Sequence, residues 1–271
     1  MLERTVMNEE ELLDIAVQVA ADAAVTAVRM RSEAITQVGT KSTITDVVTA
    51  ADRAVEQQVV AALAARRPGD TVLGEEFGGA SVSAGGVRWI VDPIDGTVNY
   101  LYGLPQYAVS IAAEVDGEVV AGVVHNAATG QVWTAARGRG AWHQGRRLGG
   151  SAATELPVAL VGTGFAYARE RRAYQAAVVA ELLPRVRDIR RLGAASLDLC
   201  AAADGQLDAY YEKGLAEWDL AAGGLIAREA GLLVTGLSGR AAGPDMVLAA
   251  PPALHGPLHD LLVELAADSG P

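Results

Sequence analysis

Trp89-Ile90-Val91-Asp92-Pro93-Ile94-Asp95-Gly96-Thr97 carries an apolar strand directly into two acids and a Gly-Thr step. Asp92 and Asp95 can supply hard oxygen ligands, and the Asp-Pro and Asp-Gly turns can aim the carbonyl of Ile94 at the same ion. A helix that starts at Gly96 and Thr97 points unpaired N–H groups at whatever anion the metal holds, and glycine lets the backbone approach closely. The stretch reads as a metal and phosphate site. Its competitor is a plain strand-to-helix connection in which both acids only cap and turn.

Working outward, the remaining acids favour the first reading. Thr71-Val72-Leu73-Gly74 is a second short strand that also ends in acid, at Glu75 and Glu76. Carboxyl-terminal ends of neighbouring strands gather at one edge of an α/β sheet, which brings these groups toward Asp92. Asp219 opens a helix after Glu217-Trp218, where an acid also complements the helix dipole. Four or five carboxylates in one cleft repel strongly unless divalent cations neutralise them. With no His or Cys beside them, the all-oxygen set selects Mg²⁺ or Mn²⁺ over zinc.

Composition narrows the partners. The 271 residues are 51% hydrophobic, enough for a full core, and the net charge of −11 argues against a general nucleic-acid or anionic-membrane surface. The single cysteine, Cys200, excludes an internal disulfide and reads as core filler. An acidic N-terminal region supports neither a signal peptide nor a membrane span, so a soluble, cytoplasmic protein is expected.

The periodicities predict an alternation of helices and strands without repeats. Asn8 with Glu11 caps a first amphipathic helix through Leu12, Ile15, Val19, Ala23, Ala27 and Met30. Thr49 with Asp52 caps a second, with Val55, Val59, Ala62 and Leu63 as its buried stripe and Pro68-Gly69 as its end. Asp116-Gly117 predicts a hairpin between strands at 107–115 and 118–124, and 132–136 extends that sheet. In the second half the pattern gives strands near 159–163, 189–192, 207–212, 232 and 246, separated by helices near 169–183, 195–204 and 218–230, with a last helix closing the chain. Such mixing predicts a layered α/β sandwich.

Other features read as structural. His255 and His259 lack the zinc-protease pattern and read as solvated surface, and Gly162-Thr163-Gly164 reads as a turn, half of a dinucleotide fingerprint. The group Arg169, Arg171 and Arg172 and the pair Arg190 and Arg191 read mainly as solvated charge, with contact to an anionic group on a substrate or a second subunit as the alternative. Only two lysines, Lys41 and Lys213, stand against twenty arginines, each beside a segment of interest.

Gly74-Glu75-Glu76, the 89–99 run ending Thr97-Val98-Asn99, Gly138-Arg139-Gly140-Ala141-Trp142, Asp208-Ala209-Tyr210-Tyr211-Glu212 and Glu217-Trp218-Asp219 together resemble the successive signatures of the inositol monophosphatase family. The resemblance spans nearly the whole chain. It implies a layered αβαβα fold in one domain over 1–271, with most metal ligands in an approximate half 1–150 and with Asp219 and the substrate contacts in 151–271. It also implies a homodimer and a lithium-sensitive phosphatase holding two to three Mg²⁺ ions. Carried over, Glu75, Asp92 and the Ile94 carbonyl hold a first ion, Asp92, Asp95 and Asp219 a second, and Glu75 with waters a weaker third. Gly96 and Thr97 amides receive the phosphate. Asp52 and Thr97 form a hydrogen-bonded pair that orients and helps deprotonate a water, with Glu75 counted among the catalytic groups. Glu212, with Gly193 and Ala194, meets the substrate, and Lys41 and Glu76 lie in loops bordering the metals. Many relatives carry a hydroxyl where this chain has Ala194, so one substrate or water contact is expected to be missing. The resemblance favours inositol-1-phosphate, a small-molecule phosphate ester. Histidinol phosphate, fructose-1,6-bisphosphate and adenosine 3′,5′-bisphosphate are the family alternatives, and a regulatory partner of the transcription machinery is the alternative of a different class.

Overall fold

The computed structural model describes residues 8–37, 44–79 and 86–270. Lys41 and most of the glycine-rich stretch before Val87 lie outside the described residues. The chain opens with helix α1 (Glu9–Gln37), where Asn8 Oδ1 accepts the Glu10 N–H at 3.1 Å, as its cap role requires. Helix α2 (Ile44–Arg66) starts five residues before Thr49, which is therefore inside the helix and not its cap. The reason is legible: Ile44, Val47, Val48 and Ala51 continue the helical apolar spacing backward past Thr49.

Strand β1 (Thr71–Gly74) then pairs in parallel with β2 (Val87–Asp95). After the six-residue helix α3 (Thr97–Tyr102), strands β3 (Ala108–Val115), β4 (Glu118–Asn126), β5 (Val132–Ala136), β6 (Gly140–His143) and β7 (Arg146–Arg147) follow. These add antiparallel, one after another, to complete a seven-stranded sheet. The Asp116-Gly117 hairpin has positive φ at both residues, 51° and 82°, the backbone that a two-residue primed turn needs.

The second half supplies β8 (Leu160–Thr163), α4 (Arg169–Leu182), β9 (Asp188–Arg190), α5 (Ala195–Ala203), β10 (Ala209–Glu212), α6 (Glu217–Glu229), β11 (Leu233–Thr235), β12 (Val247–Ala250) and α7 (Pro252–Glu264). Its five strands lie in the order β11-β12-β10-β8-β9. Side chains alternate along each strand and sort the layers. Trp89 and Val91 of β2 join the core beneath α1 and α2, while Ile90 joins the core formed with α5 and α6. A third core lies between the other face of the second sheet and α4 with α7. The architecture is a five-layer αβαβα sandwich, with α5 and α6 held between two sheets.

That central layer is made of small residues because two sheets press on it. A Cβ on Gly223 of α6 would sit 3.0 Å from Leu199 Cβ of α5, and one on Gly122 of β4 would sit 3.0 Å from Ala222 Cα. Cys200 is buried there as filler. His255 and His259, expected in solvent, are half-buried on α7; their rings stack at 6.2 Å and bond Thr235 and the Ser238 amide. Among the described residues, no helix is long and apolar enough to cross a membrane.

Candidate active site

In a regular strand, residues three apart face opposite sides, so Asp92 and Asp95 could not converge on one ion. The pairing resolves this: Asp92 lies opposite Ser110 and Asp95 opposite Ala108, so three steps on β2 match two on β3. This is a one-residue bulge, and it contains Pro93, which has no N–H to give to the ladder. Ser110 and Ala108 share a face of β3, so both acids turn toward the α5–α6 layer. Asp219, in the first turn of α6, meets them there, its Oδ2 accepting the Ala216 N–H at 2.7 Å. One oxygen from each of Asp92, Asp95 and Asp219 lies within 4.8 Å of the other two.

Helix α5 has no side-chain cap of its own, because its N-cap residue is Ala194. Asp95 takes that role across 100 residues of sequence. It accepts the Ala195 N–H at 3.2 Å, the Ser196 N–H at 2.8 Å and the Ser196 hydroxyl at 2.5 Å. Gly96, at φ 90°, lies under this junction. A Cβ there would meet the Gln106 carbonyl at 2.7 Å and Ala194 Cβ at 3.0 Å, so only glycine fits. Asn99, which the motif reading passed over, ties the junction together by donating to the Leu192 and Gln106 carbonyls, each at 2.8 Å.

Glu75 sits apart from the three-carboxylate group, exposed on the turn after β1. A fully buried residue of α2 fixes that turn: Glu56 accepts the Glu76 and Phe77 amides at 2.8 and 3.1 Å, and a Cβ on Gly74 would collide with its carboxylate. Glu56 was detectable in the sequence as an acid one step from Val55 inside an apolar stripe. Glu76 itself pairs with Arg53 at 3.2 Å on the rim. The expected Asp52–Thr97 hydrogen bond is absent among the described residues. The Thr97 hydroxyl donates instead to the Ile94 carbonyl at 3.2 Å, because α3 starts at Thr97 and brings that carbonyl within reach, and buried Asp52 Oδ1 has no partner.

These acids meet no compensating charge among the described residues. Among the described residues no ion pair involves Asp52, Glu75, Asp92, Asp95 or Asp219. Burial, then Glu75 and Glu76, pushes Asp52 up to about 8. Glu75, whose carboxylate leans toward the cluster from an exposed turn, is raised to about 7 by partial desolvation and then by Asp219, and burial and then Asp95 raise Asp219 to about 7. Asp92 is driven well above the ordinary carboxylate range by burial and then by Asp95. Burial raises Asp95 too, opposed by its hydrogen bonds from Ser196 and Ala195. An all-oxygen cluster that is unpaired and reluctant to ionise fits hard divalent cations.

Beside the cluster opens a cleft of about 260 Å³ that Asp95, Gly96, Asp219 and Glu212 all line. Glu212 is raised to about 7 by burial, against the hydrogen bond from the Tyr210 hydroxyl. Gly164, read from sequence as part of a turn, lets it in: a Cβ there would overlap the Glu212 carboxylate. Arg171 and Arg191, for which contact with an anionic substrate is the alternative to solvated charge, line the same cleft, as does Gly193. Lys213 reaches its edge, but its ammonium donates to the carbonyls of Asp268, Ser269 and Gly270 and anchors the chain end. Ala194 is buried and offers only a methyl. Asp198, also passed over, is buried in α5 with neither oxygen hydrogen-bonded among the described residues, and burial raises it well above its ordinary value. It was detectable as the one acid in an otherwise apolar helix.

The model of the inositol monophosphatase family matches residues 8–269. A Mycobacterium leprae protein named inositol-1-monophosphatase is 50% identical over 224 residues, covering 79% of this chain and 77% of the relative. A Pseudomonas aeruginosa protein named Nus factor SuhB is 44% identical over 200 residues, 72% of this chain and 73% of the relative. The solved structure of Mycobacterium tuberculosis SuhB superposes with a TM-score of 0.83 at 42% identity, covering 97% of this chain and 99% of that one.

Proposed function

The chain belongs to the inositol monophosphatase family, and on that premise we propose that it is a Mg²⁺-dependent phosphomonoesterase releasing phosphate from inositol-1-phosphate. One observation carries the reading: three unneutralised carboxylates converge at a bulged strand end beside a cleft sized for a small ester. Glu75, Asp92 and the Ile94 carbonyl would hold one ion, Asp92, Asp95 and Asp219 a second, and Glu75 a weaker third. Bound there, the ions neutralise phosphate charge and lower the pKa of water.

The chain's own groups do the rest. Asp52, with a free Oδ1 and a high proton affinity, accepts the proton from the attacking water. The Thr97 hydroxyl donates its hydrogen bond to the Ile94 carbonyl and keeps lone pairs to receive a hydrogen bond from that water. Gly96 and Thr97 amides meet the phosphate, and Glu212, with Gly193, accepts hydroxyls of a neutral polyol. The same reading takes the protein as a cytoplasmic, lithium-sensitive homodimer.

The test is phosphate release from inositol-1-phosphate, histidinol phosphate, fructose-1,6-bisphosphate and adenosine 3′,5′-bisphosphate, with and without Mg²⁺ and Li⁺. Mg²⁺-dependent turnover, highest on the inositol ester and inhibited by Li⁺, is expected. Bound Mg²⁺ with no turnover on any ester sinks the reading. A second reading, a regulatory partner of transcription, draws on the name of the Pseudomonas aeruginosa relative. Capture of RNA polymerase, with the cellular role surviving Asp95→Asn, would favour it.

A further inference from the structure

Ser196 has no surface: it is fully buried, it does not line the cleft, and it cannot touch a substrate. Its hydroxyl and amide both go to one atom, Asp95 Oδ2, at 2.5 and 2.8 Å, while Asp95 Oδ1 accepts the Ala195 amide at a longer 3.2 Å, and the Gly96 amide also bonds the carboxylate. A carboxylate oxygen carries two in-plane lone pairs. Oδ2 is therefore filled by Ser196, and Oδ1 is the oxygen left to face a ligand.

We propose that Ser196 is a positioning residue that confines Asp95 to one-oxygen ligation and so makes the site favour Mg²⁺ over Ca²⁺. The proposal rests on the cation-site reading above. Mg²⁺ demands near-octahedral single-oxygen contacts, whereas Ca²⁺ takes more oxygens and readily uses both of a carboxylate. The hydroxyl is the deciding contact, because the amide alone leaves a lone pair of Oδ2 available for a second bond to a large ion. It also locates the hydroxyl that Ala194 lacks. In this chain a hydroxyl two residues further on serves the acid and not the substrate.

Ser196→Ala removes one atom from a helix that keeps its other bonds, and its urea midpoint checks the fold. The probe is Mn²⁺, whose free fraction is read by electron paramagnetic resonance while Mg²⁺ or Ca²⁺ displaces it from the full-length protein without substrate. The expected result is that the Mg²⁺-over-Ca²⁺ affinity ratio falls about fivefold or more in the variant, the scale of one hydrogen bond. A purely structural role shifts both affinities together and leaves the ratio alone. An unchanged ratio in a variant that still binds cations overturns the proposal while sparing the site reading. A wild-type protein that binds no divalent ion overturns both.

Discussion

Helix α5 has an aspartate with an enclosed side chain at each end, and the two are solved in opposite ways. At the N-terminus Asp95 accepts backbone N–H groups, faces Asp92 and Asp219, and meets no cation among the described residues. At the C-terminus Asp204, with a side chain 2% exposed, is bonded by His143, Arg146, Trp133 and Gln206. An acid at a helix C-terminus opposes the dipole, so it needs such partners, whereas Asp95 is at the favourable end. Burial raises Asp204, but the Arg146 and His143 hydrogen bonds outweigh it, and its pKa ends below the ordinary value. The Asp95 group ends above it. The contrast teaches where the missing positive charge belongs. At Asp204 the fold answers the carboxylate with cations of its own, whereas the Asp92, Asp95 and Asp219 cluster meets none among the described residues, which fits ions from solution.

The sharpest way to break the contrast is Asp95→Asn. It removes the negative charge from one of the cluster's three carboxylates and replaces one of its oxygens with an N–H₂, and turnover should fall by about 10³-fold or more, the scale of losing charge stabilisation in a phosphoryl-transfer site. Near-wild-type phosphate release would refute the assignment. Stability should change by no more than about 2 kcal/mol. Asparagine turns an N–H₂ toward the Ser196 amide and weakens the α5 cap, yet it relieves repulsion in the cluster. Sequence reasoning treats Asp95 as a ligand at an open cleft, and the structure adds that it is 7% exposed and holds a helix.

Asp204→Ala should invert that outcome. It leaves the Trp133 N–H and the His143 ring without their acceptor beneath a Trp133–His143 stack at 4.3 Å. Breaking such a buried network costs about 2–4 kcal/mol. Urea unfolding should show that loss, while kcat per folded molecule stays within about threefold, since Asp204 lies about 13 Å away along the nine-residue helix. A variant that keeps its stability and loses its activity would erase the distinction between the two ends.

The N-terminal end was largely legible in the sequence and the C-terminal end was not, for physical reasons. Asp92, Asp95 and Asp219 announce themselves through local turn and helix-start chemistry, and Glu212 through a motif. Their convergence was hidden, because strand alternation sends Asp92 and Asp95 to opposite faces and only the Pro93 bulge re-phases them. Contacts that pair residues far apart in sequence leave no local signal. Asp204 meets His143 from 61 residues away, and Ser196 meets Asp95 from 101. The layered fold followed from periodicity, but β6 and β7 are too short to show a period, and the true start of α2 lost out to a cap-like Thr49.

The subtlest expected effect is the pH dependence of the metal-free protein, where the two ends of α5 act in different windows. Asp52, Glu75, Asp219 and Glu212 start from 3.8 or 4.5 and rise to between about 7 and about 8 in the fold. Between those limits the folded state binds more protons than the unfolded chain, so unfolding free energy falls as pH rises. Their contribution is complete below about pH 4 and gone above about pH 8. Asp204, shifted the other way, loses its contribution only as pH falls below the ordinary aspartate range. Without metal, Tm should therefore drop by about 3–8 °C between pH 5 and pH 8, the solvent around Glu75 moderating its share. Mg²⁺ should flatten that slope, because it binds the deprotonated cluster and stabilises the fold most where protons have left. Calorimetry across that range, with and without Mg²⁺, checks both signs. A metal-free Tm that is flat or rises with pH would mean that the cluster is neutralised within the protein after all, as Asp204 is.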